Sequence, residues 1–125
     1  MKLSIIVSVG EIVDKLTILK IKREKIVDSE KLIHINNEIN ELESTLSDAN
    51  IPYDDLAKEL YEVNLTLWTI EDDIRVKEKE KLFDQSFIDL ARSVYQQNDL
   101  RFHVKDRINQ KYGSYLREVK SYEKY

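Results

Sequence analysis

Cysteine is absent from the 125 residues, glycine occurs twice and proline once. Without cysteine there is no disulfide framework, no thiolate zinc site and no thiol nucleophile. A chain this poor in glycine and proline makes few tight turns, which argues against a β-sandwich or barrel and for long helices. No apolar stretch approaches the roughly 20 residues that span a bilayer. The run Leu3-Ser4-Ile5-Ile6-Val7-Ser8-Val9 is short for a signal peptide and has no small-residue cleavage site after it. Basic excess is missing as well: 20 basic against 24 acidic side chains give a net charge of −4, and no footprint for duplex nucleic acid. Cytoplasmic residence, away from any membrane, is the expectation. What is present, 42% hydrophobic and 35% charged residues, suffices to bury a core and argues against disorder. The length fits one domain.

The apolar spacing predicts an all-α fold, a four- to five-helix bundle. Residues 2–9 are rich in Ile and Val and read as a short N-terminal β-strand. Its backbone groups need a partner: the β-tinged stretch Tyr115–Tyr122, or another chain. Ser8 and Glu11 have capping-box spacing. Ile12, Leu16, Leu19, Arg23 and Ile26 then recur every three or four residues, followed out of phase by Leu32, Ile35, Ile39, Leu42 and Leu46. A long helical region over 11–46 is therefore expected, broken near 28–29 by a kink or by two helices meeting, with the kink favoured because no glycine is there for a sharp reversal. Asp54 caps a central helix over 54–81, with Leu56, Leu60, Val63, Leu67, Ile70 and Ile74 inward. Helices over 86–97 and 99–112 follow, separated by a cap at Asn98-Asp99, and residues 114–125 form an extended C-terminal tail.

Beside the core stripe of the central helix lies a polar one, Asn64, Trp68, Glu71 and Arg75, on a flank that borders the core. Residues of matching chemistry recur on the other helices: Asp14, Lys15 and Arg23 on the first, Arg92 and Tyr95 on the third, and Asn98, Asp99, Arg101 and Lys105 after them. Helical bundles build ligand sites from such inward-pointing side chains. The arginines offer planar donor forks to carboxylate or phosphate. Glu71 is the one candidate catalytic acid or base, or else the counter-ion of Arg75 four residues on. Trp68 offers a stacking wall. The plainer reading makes Glu71–Arg75 a helix pair and Trp68 a core residue.

Other patterns are weaker. Asp99, His103 and Asp106 share a helical face at metal-ligand spacing, but without paired histidines a solvated face is preferred, and neither metal nor cofactor is assigned. Glu38-x-x-Glu41 and Glu59-x-x-Glu62 are similar to the acidic pairs of all-α nucleotide pyrophosphohydrolases. The usual closing aspartate is missing, and such pairs arise by chance in acidic helices. Asp14 through Arg23 loosely resembles the first helix of the all-helical chorismate mutases, a likeness of architecture that ends with that helix. Tyr112, Tyr115, Tyr122 and Tyr125 with Arg117, Lys120 and Lys124 make a basic-aromatic tail, expected to pack back or mediate contacts rather than hold single-stranded nucleic acid.

Several segments together carry a broader resemblance: Ser8 to Leu19 (SVGEIVDKLTIL), Val63-Asn64 with Leu67-Trp68, and Ile70-Glu71-Asp72 with Ile74-Arg75. Leu90 to Tyr95, Asn98-Asp99 with Arg101, and Lys120-Ser121-Tyr122 complete the set. The sequence is similar over nearly its whole length to a small uncharacterised bacterial and phage family, a domain of unknown function. The resemblance implies no activity, cofactor or substrate. It implies that Asn64, Trp68, Glu71, Arg75, Arg92, Tyr95, Asn98 and Arg101 belong to the family pattern. Ser29 departs from the proline often found there, which leaves that turn open. The expectation is a polar cleft for a small anionic ligand, bound by Arg75, Arg92, Arg101, Asn64, Trp68, Tyr95, Asn98, Lys15 and Asp14, with Glu71 as its acid or base. The alternative is a non-enzymatic interaction or homodimerisation module whose polar stripe is structural.

Overall fold

Four short side chains start four helices. Ser8, Asp28, Asp54 and Asp84 each accept a hydrogen bond from a backbone N–H two or three residues on, satisfying donors that the first turn leaves free. The computed structural model describes residues 1–125 and contains α1 (Val9–Lys25), α2 (Ser29–Asp48), α3 (Asp55–Glu80) and α4 (Gln85–Lys111). None of these helices is long and apolar enough to cross a membrane.

The expected break near 28–29 is two helices meeting, not a kink. Ile26 and Asp28 adopt extended backbone angles, so the helix stops and a new one begins. α2 then packs against α1, with ion pairs Lys15–Glu38 at 3.1 Å and Lys20–Glu43 at 3.9 Å. Glycine is not required, because extended residues turn the chain as well. The N-terminal strand does not form. Residues 1–8 lie outside any helix or strand, and Leu3, Ile5 and Ile6 are exposed, because no second strand supplies the ladder a strand needs. The break at Asn98-Asp99 is also absent. α4 runs through it, as neither proline nor glycine is there to interrupt the backbone hydrogen bonds, and Leu100 just after it is exposed. The tail is not a free extension: it folds back on α4 through Arg117–Asp106 and Glu118–Lys105 ion pairs.

α1 sits in the middle of the packing, against α2 on one side and α3 and α4 on the other, while α2 approaches α1 alone. That explains why α1 buries two stripes at once, Val13, Leu16 and Leu19 together with Asp14, Thr17 and Ile21. The core joins Val13, Leu16 and Leu19 to Ile35, Ile39 and Leu46 of α2, Ala57 and Leu60 of α3, and Val104 and Ile108 of α4. Each fully buried aliphatic side chain contributes about 1.5–3 kcal/mol. α3 and α4 form an antiparallel hairpin, clasped at one end by Lys77–Asp84 (3.0 Å) and at the other by Lys111–Asp54 (2.5 Å). Burial works to raise the Asp54 pKa, but hydrogen bonds from Lys111, Tyr112 and the Ala57 N–H outweigh it and hold it at about 2.

Gly10 sets how closely α1 meets α4. Its N–H donates to Asn109 Oδ1 at 2.6 Å, and a Cβ at this position would lie 2.7 Å from the Lys105 carbonyl oxygen. A helix carbonyl cannot step aside, so the two backbones would have to part. Gly10→Ala is expected to lower stability by about 1–3 kcal/mol, read as the shift in urea midpoint. An unchanged midpoint would show that the seam is not tight.

Candidate functional site

Three helices meet at Asp14. On α1 this residue follows the capped first turn, and its 1% exposure leaves its carboxylate inside the bundle. Arg101 of α4 forks onto it, Nε to Oδ1 at 2.9 Å and Nη2 to Oδ2. Asn64 of α3 donates from Nδ2 to Asp14 Oδ1 and to Thr17 Oγ1, both at 2.9 Å, and the Thr17 hydroxyl donates to the Asp14 carbonyl at 2.7 Å. No buried side-chain nitrogen or oxygen is left unpaired. The hydrogen bonds that Arg101 donates to Asp14 raise its pKa, against burial. The guanidinium is therefore charged at every physiological pH.

Next along the α1–α4 seam, Lys105 is buried and is held by Glu11 (2.8 Å) and Glu118 (3.1 Å). Burial lowers its pKa, but the two carboxylates overcome this and raise it. With Gly10–Asn109 and Asp14–Arg101, these contacts fix the antiparallel register of α1 on α4.

Outward of the Asp14 network lies an open cleft of about 560 Å³, with Ile18 and Ile21 of α1, Asn64, Leu67, Trp68, Glu71, Asp72 and Arg75 of α3, and Asn98 and Arg101 of α4 on its walls. Arg101 shows its free Nη1 edge here, since Nε and Nη2 are taken by Asp14. Arg75 Nη1 is hydrogen-bonded to the carboxylate and carbonyl of Glu71, and the rest of its exposed guanidinium is free. The Trp68 indole N–H, the Asn98 amide and the Asp72 carboxylate have no partner within the chain. The cleft thus combines two guanidinium groups, two carboxylates, a half-buried indole and an aliphatic floor.

Six of the residues expected from sequence come together at this cleft: Asn64, Trp68, Glu71, Arg75, Asn98 and Arg101. Asp14 stands behind the wall and orients Arg101. Lys15 lies elsewhere, on the α2 side of α1, paired with Glu38. Arg92 is exposed and outside the cleft, and Tyr95 faces a separate cavity with the tail. Both follow from α4 being one helix: with no break, Arg92 lies about opposite Arg101, and Tyr95 adjoins Asn98 on the flank away from Arg101. The sequence reading missed Asp72, Ile18 and Ile21. The last two had a signal, because Asp14, Thr17, Ile18 and Ile21 make a second helical stripe beside Val13, Leu16 and Leu19.

No group of three or more His, Asp or Glu side chains gathers to hold a metal. Asp106 is taken by Arg117 and Gln110, and Asp99 by Tyr125. Of the acidic pairs, Glu59 binds Arg107 and Glu38 binds Lys15.

The chain belongs to a family of unknown function, DUF6165, whose model matches residues 1–125. No curated protein and no solved structure matches it.

The two arginines of the cleft differ in what holds them. Arg101→Ala strips a buried carboxylate of its counter-charge and is expected to cost about 3–5 kcal/mol. Arg75→Ala breaks an exposed pair and should cost less than about 1 kcal/mol. Chemical denaturation of both variants separates the two. Equal losses would contradict the distinction.

Proposed function

We propose that this member of a family of unknown function binds a small ligand in the α1–α3–α4 cleft, through an anionic group on that ligand. The observation that carries the reading is the placement of Arg101. Its guanidinium is anchored by a buried carboxylate, yet one edge remains open to a cleft of ligand size. A buried ion pair adds little net stability compared with well-packed apolar residues, so holding Arg101 at a cleft wall is a reason for its presence. The anion sits between Arg101 and Arg75. A planar or aliphatic body lies on Trp68, Leu67, Ile18 and Ile21, and Asn98 and Asp72 read its polar edge. If the site carries out a reaction, Glu71 is the base within reach; the reading itself is binding, in a protein of the cytoplasm.

A ligand that binds only the folded state raises the melting temperature. Thermal-shift measurement across carboxylates, phosphates and nucleotides should find at least one that stabilises the wild type and fails to stabilise Arg75→Ala. If none does so at millimolar concentration, or if Arg75→Ala responds equally, the reading falls.

A second reading has its own observation. No side chain between Glu71 and His103 is buried, although this outer half of the α3–α4 hairpin carries Ile74, Val76, Leu82, Phe83, Phe87 and Ile88. Two helices alone cannot enclose such residues, whereas two hairpins from two copies make a four-helix bundle. Unpaired Asp72 and Asp73 on α3 and Arg92 on α4 supply charges of opposite sign for a two-fold pairing. Light scattering would then give twice the 14.9 kDa of the chain, reverting to one copy in Ile88→Glu. A wild-type monomer at high concentration would dismiss self-association.

A further inference from the structure

A second cavity lies on the opposite flank of Asn98 and owes nothing to the arginine cleft except that shared wall. Its volume is about 570 Å³, and it is formed where the returning tail meets α4: Tyr95 and Asp99 from the helix, Lys120, Tyr122, Glu123 and Tyr125 from the tail. Two of its rings make a corner. Tyr95 and Tyr125 meet edge to face, with centroids 4.9 Å apart and planes 79° from each other. The corner is fixed by a hydrogen bond from the Tyr125 hydroxyl to Asp99 Oδ2 at 2.6 Å.

The contents of this cavity describe what it attracts. Ring faces carry negative electrostatic potential, and Asp99 and Glu123 add formal charge of the same sign. One cation is already drawn in: Lys120 Nζ stands 5.6 Å from the Tyr122 ring centroid and 5.6 Å from that of Phe102. A lysine ammonium is strongly hydrated and tethered at this distance, so it leaves the Tyr95–Tyr125 corner unfilled. A cation whose charge is spread over methyl groups gives up its water more easily and fits against flat rings.

We propose that the Tyr95–Tyr122–Tyr125 cavity is a binding site for an organic cation of the quaternary ammonium class, with Asp99 and Glu123 as its counter-charges. Binding draws on the ring faces and on the acids together. Lys120 competes with the ligand for the Tyr122 ring. The site is independent of the anion cleft, so failure of one reading leaves the other standing.

The test uses the full chain and tetramethylammonium and choline as probes, followed by proton NMR. A cation lying over ring faces moves to higher field through ring current, saturably with protein concentration. Tyr125→Ala and Asp99→Asn are expected to weaken binding by about two- to fivefold each, and Lys120→Gln to tighten it. These are surface residues, and unchanged circular dichroism checks that the fold persists. The uncharged carbon isostere of choline should bind no more than weakly. Absence of a saturable shift overturns the proposal. So does equal binding of the isostere, or a Tyr125→Ala variant that binds like the wild type.

Discussion

A carboxylate that is 1% exposed is the constraint from which the rest of this structure follows. Asp14 enters the bundle one turn inside α1, where an unpaired charge would cost several kcal/mol. Relief comes from two directions, a guanidinium fork from α4 and an amide from α3. These bonds need Arg101 and Asn64 at fixed positions, which fixes the two helices that carry them. The neighbouring contacts agree. Asn109 caps Gly10 on one side, and Lys105 joins Glu11 to Glu118 of the tail on the other. One seam thus sets the register of α1 on α4 and ties down the end of the chain.

The same seam accounts for the cleft. Arg101 is long enough to satisfy Asp14 from the wall of the opening, leaving part of its guanidinium in solvent. Arg75 is exposed and is held only by the carboxylate and carbonyl of Glu71. The cleft therefore has one cation anchored by a buried carboxylate and one held by an exposed neighbour. Hydrophobic contacts alone would have made a comparable core with no such edge.

The sequence carried the helices well where local chemistry decides them. Ser8, Asp28, Asp54 and Asp84 are short polar residues placed before apolar stripes, and each is a cap in the structure. The polar flank of α3 was legible for a similar reason, since Asn64, Trp68, Glu71 and Arg75 keep helical spacing beside the core. What local pattern could not show was which partner each face meets. The apolar run at residues 2–9 has strand composition but no second strand to pair with. Asn98-Asp99 has cap chemistry, but the backbone continues and Asp99 serves Tyr125 instead. Arg92, Tyr95 and Lys15 have suitable side chains on faces turned elsewhere, a matter of helix phase across the fold. Asp14 has the chemistry of a ligand contact, but it is buried and its carboxylate is bonded to Arg101 and Asn64.

The central claim is that the Asp14–Arg101 pair, which sets the register of α1 on α4, is kept for the guanidinium it holds at the cleft and not for net stability. Replacing both charges by apolar residues of similar size, Asp14→Leu with Arg101→Met, separates these roles, because it removes the ion pair without stranding either charge. The measurement is the melting temperature of the double variant, alone and with the anion that stabilises the wild type. The account predicts a folded protein within about 1 kcal/mol of wild-type stability that no longer responds to the anion. A double variant that stays responsive, or one that fails to fold, would contradict it.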